Sequence, residues 1–386
     1  MEKSVLDLSK ALASRKEQSR FRKLRSVIPL EGIYIAVDGK RLLNFSSNDY
    51  LGLSQHPFLK ESAIEYTSRF GVGAGASRLL SGNNEIYEKI ENQLAELKGS
   101  QSALIFSTGF QLNLAVLLAL SKLADLFLCD KLCHNSLLMG ASLSKIQTLR
   151  FKHNDLVDLE HRLKQYGSVS KNSWVISESV FSMDGDICPI EALEAQTNRA
   201  ETCYLYIDEA HATGVFGKNG MGLSSINERS IAMGTFGKGL GSFGAYIACS
   251  QILKDYLVNF CQGLIYTTAL PPSTLGAIEA ALEILPSLSK ERSHLLSLAE
   301  YIRDRLVAKG FNTGKSKSQI IPIIVGSDDR AVSLSQYLET AGVFAPAIRP
   351  PTVPAGTARI RLSVSALHTQ EHADHLIRIL EQWSPT

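Results

Sequence analysis

Lys238 stands in the stretch MGTFGKGLGSFG, residues 233–244, among five glycines and two phenylalanines. Apolar runs flank it, IAMGTF before and AYIACS after, so partial burial of the amine is expected. Burial disfavours the ammonium form and makes such a lysine suited to nucleophilic or Schiff-base chemistry. From this stretch alone, a glycine-rich turn between two strands with a lysine at its tip accounts for the residues equally well. Two phosphate motifs fit poorly. Gly239 stands where a P-loop needs a hydroxyl for Mg²⁺, and GLGSFG, which matches G-x-G-x-x-G, leads into a strand pattern instead of a helix.

Other strand ends carry residues of chemical interest. CYLYIDEAHATG ends a strand on Asp208 with His211 three residues on, and WVISESVFSMDGD carries Ser182 and Asp184 into a loop beyond Glu178. SALIFSTGF places Thr108, Gly109 and Phe110 at the start of a helix, where N–H groups without partners favour a phosphate. Thr235 lies three residues before Lys238, and His134 sits in DKLCHNSLL. Each has a plainer reading as a cap, a turn former or a solvent-facing side chain. Together they fit one cofactor, pyridoxal 5′-phosphate. It needs a lysine for its aldehyde, an anion for its pyridine nitrogen and a phosphate cup, and an aromatic ring to stack on it helps. Lys238, Asp208, the 108–110 helix start with Thr235, and His134 supply these, with Asp208 thirty residues before Lys238.

Strands end and loops begin at these residues, so the elements that hold them decide the reading. From about residue 57 to 280, short apolar strands (SALIFS, DLFLCD, WVISES, CYLYID, IAMGTF, AYIACS) alternate with helical segments such as NEIYEKIENQLAELKG. That alternation predicts a mostly parallel sheet covered on both faces, with ligands at the strand ends. Before it, residues 1 to about 28 read as a basic amphipathic helix ending before Pro29, and GIYIAVDGKRLLNFSS as a hairpin turning at Asp38-Gly39. After Pro271-Pro272 come a long helical stretch, the strands SQIIPIIVG and ARIRLSVS, and a final helix. The expected division is an arm over 1–46, a large cofactor-binding domain over 47–284 and a small α/β domain over 285–386.

The 386 residues, 45% hydrophobic and 20% charged with a net charge of +2, predict a soluble globular chain with no electrostatic commitment to nucleic acid or an anionic membrane. The longest apolar run, Leu114 to Leu120, is far short of the roughly 18 residues of a membrane span. The N-terminal segment lacks the apolar stretch of a signal peptide, which makes the cytoplasm the expected location. The six cysteines form no CxxC pair and lie mostly in apolar contexts, as core residues of a reducing compartment do. His372 and His375 have i, i+3 spacing, but TQEHADHLIRILEQW reads as an amphipathic helix with a solvated face, and no metal site is expected.

The sequence resembles the α-oxoamine synthases, through DEAHATG, TFGKG and FSSNDYLGLS, and then almost end to end through SRLLSG, FSTGF, HNSLL, ESVFSMDGD, LIYTTALPP and IRPPTVPAGTARIRLSVSALH. The resemblance implies a fold-type I pyridoxal-phosphate transferase with a mostly parallel seven-stranded sheet in the large domain, a smaller C-terminal α/β domain and an N-terminal arm. It implies an enzyme that condenses an amino acid with an acyl thioester and loses CO₂. AIRPPTVPAGTARIRL is more similar to the alanine-using member of biotin biosynthesis, which takes a pimeloyl thioester, than to the glycine-using and serine-using members.

Carried over by position, the resemblance makes Lys238 the Schiff-base lysine, Asp208 the partner of the pyridine nitrogen, His211 a contact of the phenolic oxygen and His134 the stacking ring. Gly109 and Phe110 bind phosphate, Ser182 and Thr235 support the cofactor, and Arg22, Asn48, Ser77, His134, Arg349 and Thr352 handle substrate. It also implies a homodimer with active sites at the interface, Thr267 and Thr268 reaching the neighbouring phosphate. GFQLN departs from the family pattern, which expects a small residue in place of Gln111 or Leu112. The competing readings are a 2-amino-3-ketobutyrate CoA ligase, a serine palmitoyltransferase, a non-catalytic fold-type I subunit that would need no reactive amine, and a nucleotide-binding module resting on GLGSFG.

Overall fold

The computed structural model describes residues 8–166 and 172–383. Two compact units divide them. One comprises the chain up to Ser47, Met183–Asp186 and the chain from His294 onward; the other comprises Asn48–Ser182 and Ile187–Ser293.

The second unit is built on a seven-stranded sheet ordered Ser102–Phe106, Ala245–Cys249, Ser230–Thr235, Cys203–Asp208, Ser173–Glu178, Leu126–Asp130, Gln147–Phe151. Ala245–Cys249 runs antiparallel to both neighbours, and the other neighbouring pairs are parallel. Alternate residues of a strand face opposite sides, and the packing shows it. Phe127, Cys129, Trp174, Ile176 and Tyr206 join the core that holds Leu112 and Val116 of helix Gly109–Leu120. Leu126, Leu128, Val175, Leu205 and Ile207 join a second core with Leu159 and Leu193. The same alternation carries Glu178, two after Ile176, and Asp208, two after Tyr206, to the side of helix Gly109–Leu120.

Six of the seven strands follow the apolar runs of the sequence. The seventh, Gln147–Phe151, is an edge strand whose side chains are mostly exposed, and QTLRF accordingly has no apolar run. GLGSFG leads into the antiparallel strand Ala245–Cys249, which removes the nucleotide-module reading. The six cysteines are buried.

The first unit holds two small sheets, one ordered Val27–Pro29, Tyr34–Val37, Lys40–Asn44, Val343–Phe344 and one ordered Ile320–Gly326, Ala358–Ser363, Ala347–Ile348. The hairpin at Asp38-Gly39 forms as expected: Val37 pairs with Lys40, and both turn residues adopt positive φ, 49° and 80°, the conformation of a type I′ turn. The expected basic helix is corrected. Its first seven residues lie outside those described, and the described helix runs only over Leu8–Glu17 and buries no side chain. Ser19 then takes a left-handed φ of 54°, and Val27–Pro29 pairs as a strand with Tyr34–Val37. Without an apolar face to bury, helix periodicity yields to the β-branched Val27-Ile28 pair and to Pro29.

In this unit His368 stacks on Phe45, ring centroids 4.0 Å apart, and its Nδ1 accepts the Ser365 N–H at 2.9 Å. Burial, and then the neighbouring His372, pushes its imidazole down to about 3. An unfolded chain takes up this proton near pH ~6.5. The stabilising contribution is therefore fully present above that pH and is lost as pH falls through the folded value. His368→Gln should lower the denaturation midpoint at pH 7, and its deficit relative to wild type should narrow steadily as pH is lowered toward 4. A deficit independent of pH would show that His368 stabilises by packing alone.

Candidate active site

The carboxyl ends of the parallel strands surround one cavity in the unit containing Asn48–Ser182. It brings together Gly109, Phe110, His134, Asp208, His211, Thr235 and Lys238, with Asn113, Ser136 and Glu178 also on its wall. Thr108 caps helix Gly109–Leu120 by accepting the Gln111 N–H at 3.1 Å. The N–H groups of Gly109 and Phe110 in that first turn have no intrahelical carbonyl to meet.

Two hydrogen-bond sets line the cavity. In the first, Asn113 donates from Nδ2 to Asp208 Oδ2 and to Ser136 Oγ, both at 2.9 Å, while its Oδ1 accepts the Tyr206 hydroxyl at 2.7 Å. Asp208 Oδ1 accepts the Ala210 N–H at 2.9 Å. Ser136 Oγ meets His134 Nδ1 at 2.7 Å, and the Ser136 N–H points to the same nitrogen at 3.3 Å. Nδ1 is therefore the acceptor and the His134 proton sits on Nε2. Burial, with the Lys238 charge adding to it, lowers the His134 pKa against the pull of Asp208, in keeping with a neutral ring. Phe110 meets the ring edge-on, centroids 6.5 Å apart.

In the second set, Lys238 Nζ lies 3.0 Å from His211 Nε2, and His211 Nδ1 lies 2.6 Å from the Tyr50 hydroxyl, which reaches Asn48 Oδ1 at 3.2 Å. One orientation satisfies all four groups: ammonium to Nε2, Nδ1–H to the Tyr50 oxygen, and the Tyr50 hydroxyl to the amide of Asn48.

The glycines near Lys238 answer to chain packing. A Cβ on Gly239 would stand 2.5 Å from the Thr213 carbonyl oxygen, and one on Gly214 2.8 Å from the Gly239 Cα. A Cβ on Gly241 would collide with Leu53 and Ser54. The loops bearing Lys238, His211 and Tyr50 thus meet at glycine, backbone against backbone.

Of the remaining expected residues, Thr235 donates its hydroxyl to the Gly244 carbonyl at 2.9 Å, closing the lysine loop. The Ser182 backbone N–H reaches Glu178, and Ser77 forms a backbone bridge with Thr268. Arg22, Arg349 and Thr352 belong to the other unit. There Arg22 reaches the Thr352 hydroxyl at 3.3 Å, the Thr352 N–H bonds the Arg349 carbonyl at 3.1 Å, and Arg349 donates to the Ser19 carbonyl. Burial and the like charge of Arg22 lower the Arg349 pKa. Arg361 is buried and donates to Ser363 Oγ at 2.7 Å, and Arg359 pairs with Asp184 at 2.7 Å. The departure at Gln111 and Leu112 has a structural account: Leu112 is fully buried in the core, and Gln111 Nε2 bonds the Gly263 carbonyl at 2.8 Å and the Thr267 hydroxyl. His372 caps the final helix through Nδ1, which accepts the Thr369 N–H.

Asn113, Ser136 and Tyr50 were not singled out from the sequence. For Asn113 a signal existed, a buried amide flanked by leucines in the largely apolar helix GFQLNLAVLLAL; for Ser136 and Tyr50 none did.

The model of the family described as aminotransferase class I and II matches residues 40–380. The chain belongs to that family. It is 46% identical over 374 residues to the 8-amino-7-oxononanoate synthase of Gluconacetobacter diazotrophicus, covering 95% of this chain and 94% of that protein. A protein of Desulfosudis oleivorans, provisionally given the same name, is 48% identical over 382 residues, 98% of this chain and 99% of its own. Among solved structures, serine palmitoyltransferase from S. paucimobilis with bound PLP superposes with a TM-score of 0.90 at 26% identity over 98% of each chain. The 8-amino-7-oxononanoate synthase of Francisella tularensis gives 0.76 at 28% identity, covering 88% of this chain and 97% of that one. The family's doubly covered, mostly parallel sheet is the architecture described above.

Glu178, 2% exposed, accepts the His134 N–H at 2.5 Å. Burial, and then Asp208, raises its pKa well above the ordinary carboxyl range. The folded protein therefore keeps a proton here that the unfolded chain releases, so this contribution is greatest at low pH and declines as pH rises. Glu178→Gln preserves the acceptor and removes the ionisation. Denaturant midpoints of the apoprotein should show the variant gaining on wild type from pH 5 to 8; a constant difference would mean that Glu178 does not titrate in this way.

Proposed function

We propose that the chain is a pyridoxal-phosphate-dependent acyltransferase that condenses L-alanine with a pimeloyl thioester, releasing CO₂ and the thiol and giving 8-amino-7-oxononanoate for biotin biosynthesis. The chemistry rests on one observation: a single cavity holds an amine, a carboxylate, a histidine ring and an open helix start. Those groups fit the cofactor. Lys238 would hold the aldehyde carbon, Asp208 the pyridine N–H, His134 the ring face, His211 the phenolic oxygen, and the Gly109 and Phe110 N–H groups the phosphate, with Ser182 and Thr235 in support. Pyridoxal phosphate, when bound, supplies an electron sink that loosens the bonds to an amino acid's Cα.

The protein's part is placement and proton transfer. Asp208 takes its hydrogen bonds from neutral donors, Asn113 and Ala210, which leaves its charge for the ligand. The neutral ring of His134 adds no competing positive charge beside the pyridine. The Lys238 amine, when not bonded to the cofactor, would be the base that removes the Cα proton, with His211 at 3.0 Å to pass charge toward Tyr50. Asn48, Ser77, Arg22, Arg349 and Thr352 are assigned to the substrates. Arg349 goes to the alanine carboxylate, since Arg361 is turned to Ser363, and Arg22 goes to the far carboxylate of the acyl chain. A homodimer accords with the exposure of Leu80 and Tyr266, 79% and 80%, beside the Thr267-Thr268 pair assigned to a second copy's phosphate. Among the described residues no helix is long and apolar enough to cross a membrane.

A second reading, serine palmitoyltransferase, is favoured by the TM-score of 0.90. The 46% identity to a named 8-amino-7-oxononanoate synthase outweighs it. Mass spectrometry of products from alanine or serine with pimeloyl-CoA or palmitoyl-CoA separates the two. The expected result is 8-amino-7-oxononanoate, with alanine preferred over serine by at least about tenfold; a long-chain serine product would reverse the assignment. Borohydride reduction of the holoenzyme should tag the peptide containing Lys238, and Lys238→Ala should fold, take up no tag and make no product. A tag on another lysine removes Lys238 from its role.

A further inference from the structure

Among the described residues the most enclosed ion pair joins Lys98, 2% exposed, to Glu209, fully buried. Glu209 sits between Asp208 and the Ala210-His211 turn, and strand alternation sends its side chain away from the cavity that Asp208 faces. Lys98 is the last residue of helix Ile86–Lys98. Its ammonium bonds Glu209 Oε2, the Met221 carbonyl at 2.8 Å and the Ser224 carbonyl at 2.9 Å. Glu209 Oε1 accepts the N–H groups of Leu223 at 2.5 Å and Ser224 at 2.8 Å. The backbone of the same residue is held as firmly: its N–H donates to the Met233 carbonyl at 2.7 Å, and its carbonyl accepts from Ala212 at 2.9 Å and Thr213 at 2.8 Å. Gly222 lies so close, at φ +93°, that a Cβ there would collide with the Glu209 carboxylate.

Desolvating two charges costs about as much as their attraction returns, so a pair this enclosed is a poor source of net stability compared with apolar packing. What it does supply is position. We propose that Lys98 and Glu209 are positioning residues, a buried clamp on the Asp208–Thr213 turn that aims the Asp208 carboxylate at Asn113 and the cavity and sets His211 against Lys238. The inference rests on the reading of Asp208 and His211 as cofactor-facing groups.

The test is Lys98→Met in the holoenzyme, read by the pH midpoint of the bound cofactor's visible absorbance and by the dissociation constant for pyridoxal phosphate, with apoprotein melting followed in parallel. The groups that set the midpoint, Asp208, His211, Glu178, His134 and Lys238, are unchanged in composition. A shift of about half to one pH unit, with roughly tenfold weaker cofactor binding, is expected because two of them lose register. Lys98→Arg, which keeps the charge, should recover most of both. Lower melting with a wild-type midpoint and affinity would overturn the proposal. If Lys98→Met does not fold, Glu209→Gln carries the test, and a wild-type midpoint and affinity in it would overturn the proposal equally. Asp208→Asn separates the two levels. If its midpoint moves and those of the clamp variants do not, the clamp fails alone; if its midpoint stays, the reading of the cofactor site fails.

Discussion

A carboxylate at the end of a strand covered on both faces is the constraint from which most of this site follows. Asp208 is 5% exposed. Taking a carboxylate out of water costs several kcal/mol unless hydrogen bonds replace its hydration. A direct lysine or arginine partner would satisfy the charge and also cancel it. The fold instead supplies neutral donors, the Asn113 amide and the Ala210 N–H. An amide inside an apolar helix then has needs of its own, met by the Tyr206 hydroxyl and by Ser136 Oγ. Ser136, oriented by Asn113, fixes the tautomer of His134. One buried charge thereby dictates four further side chains, Tyr206 on its own strand and Asn113, Ser136 and His134 on two helices and their caps, which is how a polar network in a low-dielectric core becomes a single arrangement.

The sequence disclosed the elements better than the links between them. Strands buried on both faces are continuous apolar runs and were legible; Gln147–Phe151, an edge strand with exposed side chains, was not. Lys238, Asp208 and His211 were legible because each ends or follows a strand that had been located, and ligand groups gather at such ends. Tyr50 and Ser136 were hidden because nothing local marks them: Tyr50 is chosen by a partner 161 residues away, His211. Lys98 looked like an ordinary basic residue closing a helix, as the helix dipole favours, and its partner at Glu209 is 111 residues distant. The short N-terminal helix shows the opposite failure, a periodic pattern with no core to receive it.

A run of glycines around a lysine invites the idea of room for a flat ligand. At Gly239 and Gly241, however, the Cβ positions are taken by Thr213, Gly214, Leu53 and Ser54. The difference matters for how the amine is held. A lysine side chain has about 2 kcal/mol of rotamer entropy, and fixing its tip requires fixing the loops that carry its partners. Contacts between backbones have no side chain to swing aside, so the three loops bearing Lys238, His211 and Tyr50 share one geometry. The clamp at Glu209 holds the middle loop of the three from behind.

Substrate choice must then come from elsewhere. A serine palmitoyltransferase with only 26% identity shares the fold over 98% of the chain at a TM-score of 0.90, and fold alone does not assign function. An amine, an anion and a fixed ring around a bound pyridoxal phosphate would suffice to make a Cα bond labile, whatever the substrate. The cavity does not distinguish a methyl from a hydroxymethyl side chain, nor a terminal carboxylate from a methyl at the end of an acyl chain. A pocket that only adds or omits a methylene discriminates by about 1–3 kcal/mol, whereas a site built to bond a polar group rejects an analogue without it far more strongly. The far carboxylate of a pimeloyl chain is such a group. The observation most relevant to it lies outside the cavity unit, where burial, and then the charge of Arg22, lowers the Arg349 pKa. Neighbouring guanidiniums favour anions, and a reaction with one carboxylate on the amino acid and another at the far end of the acyl chain would offer one to each.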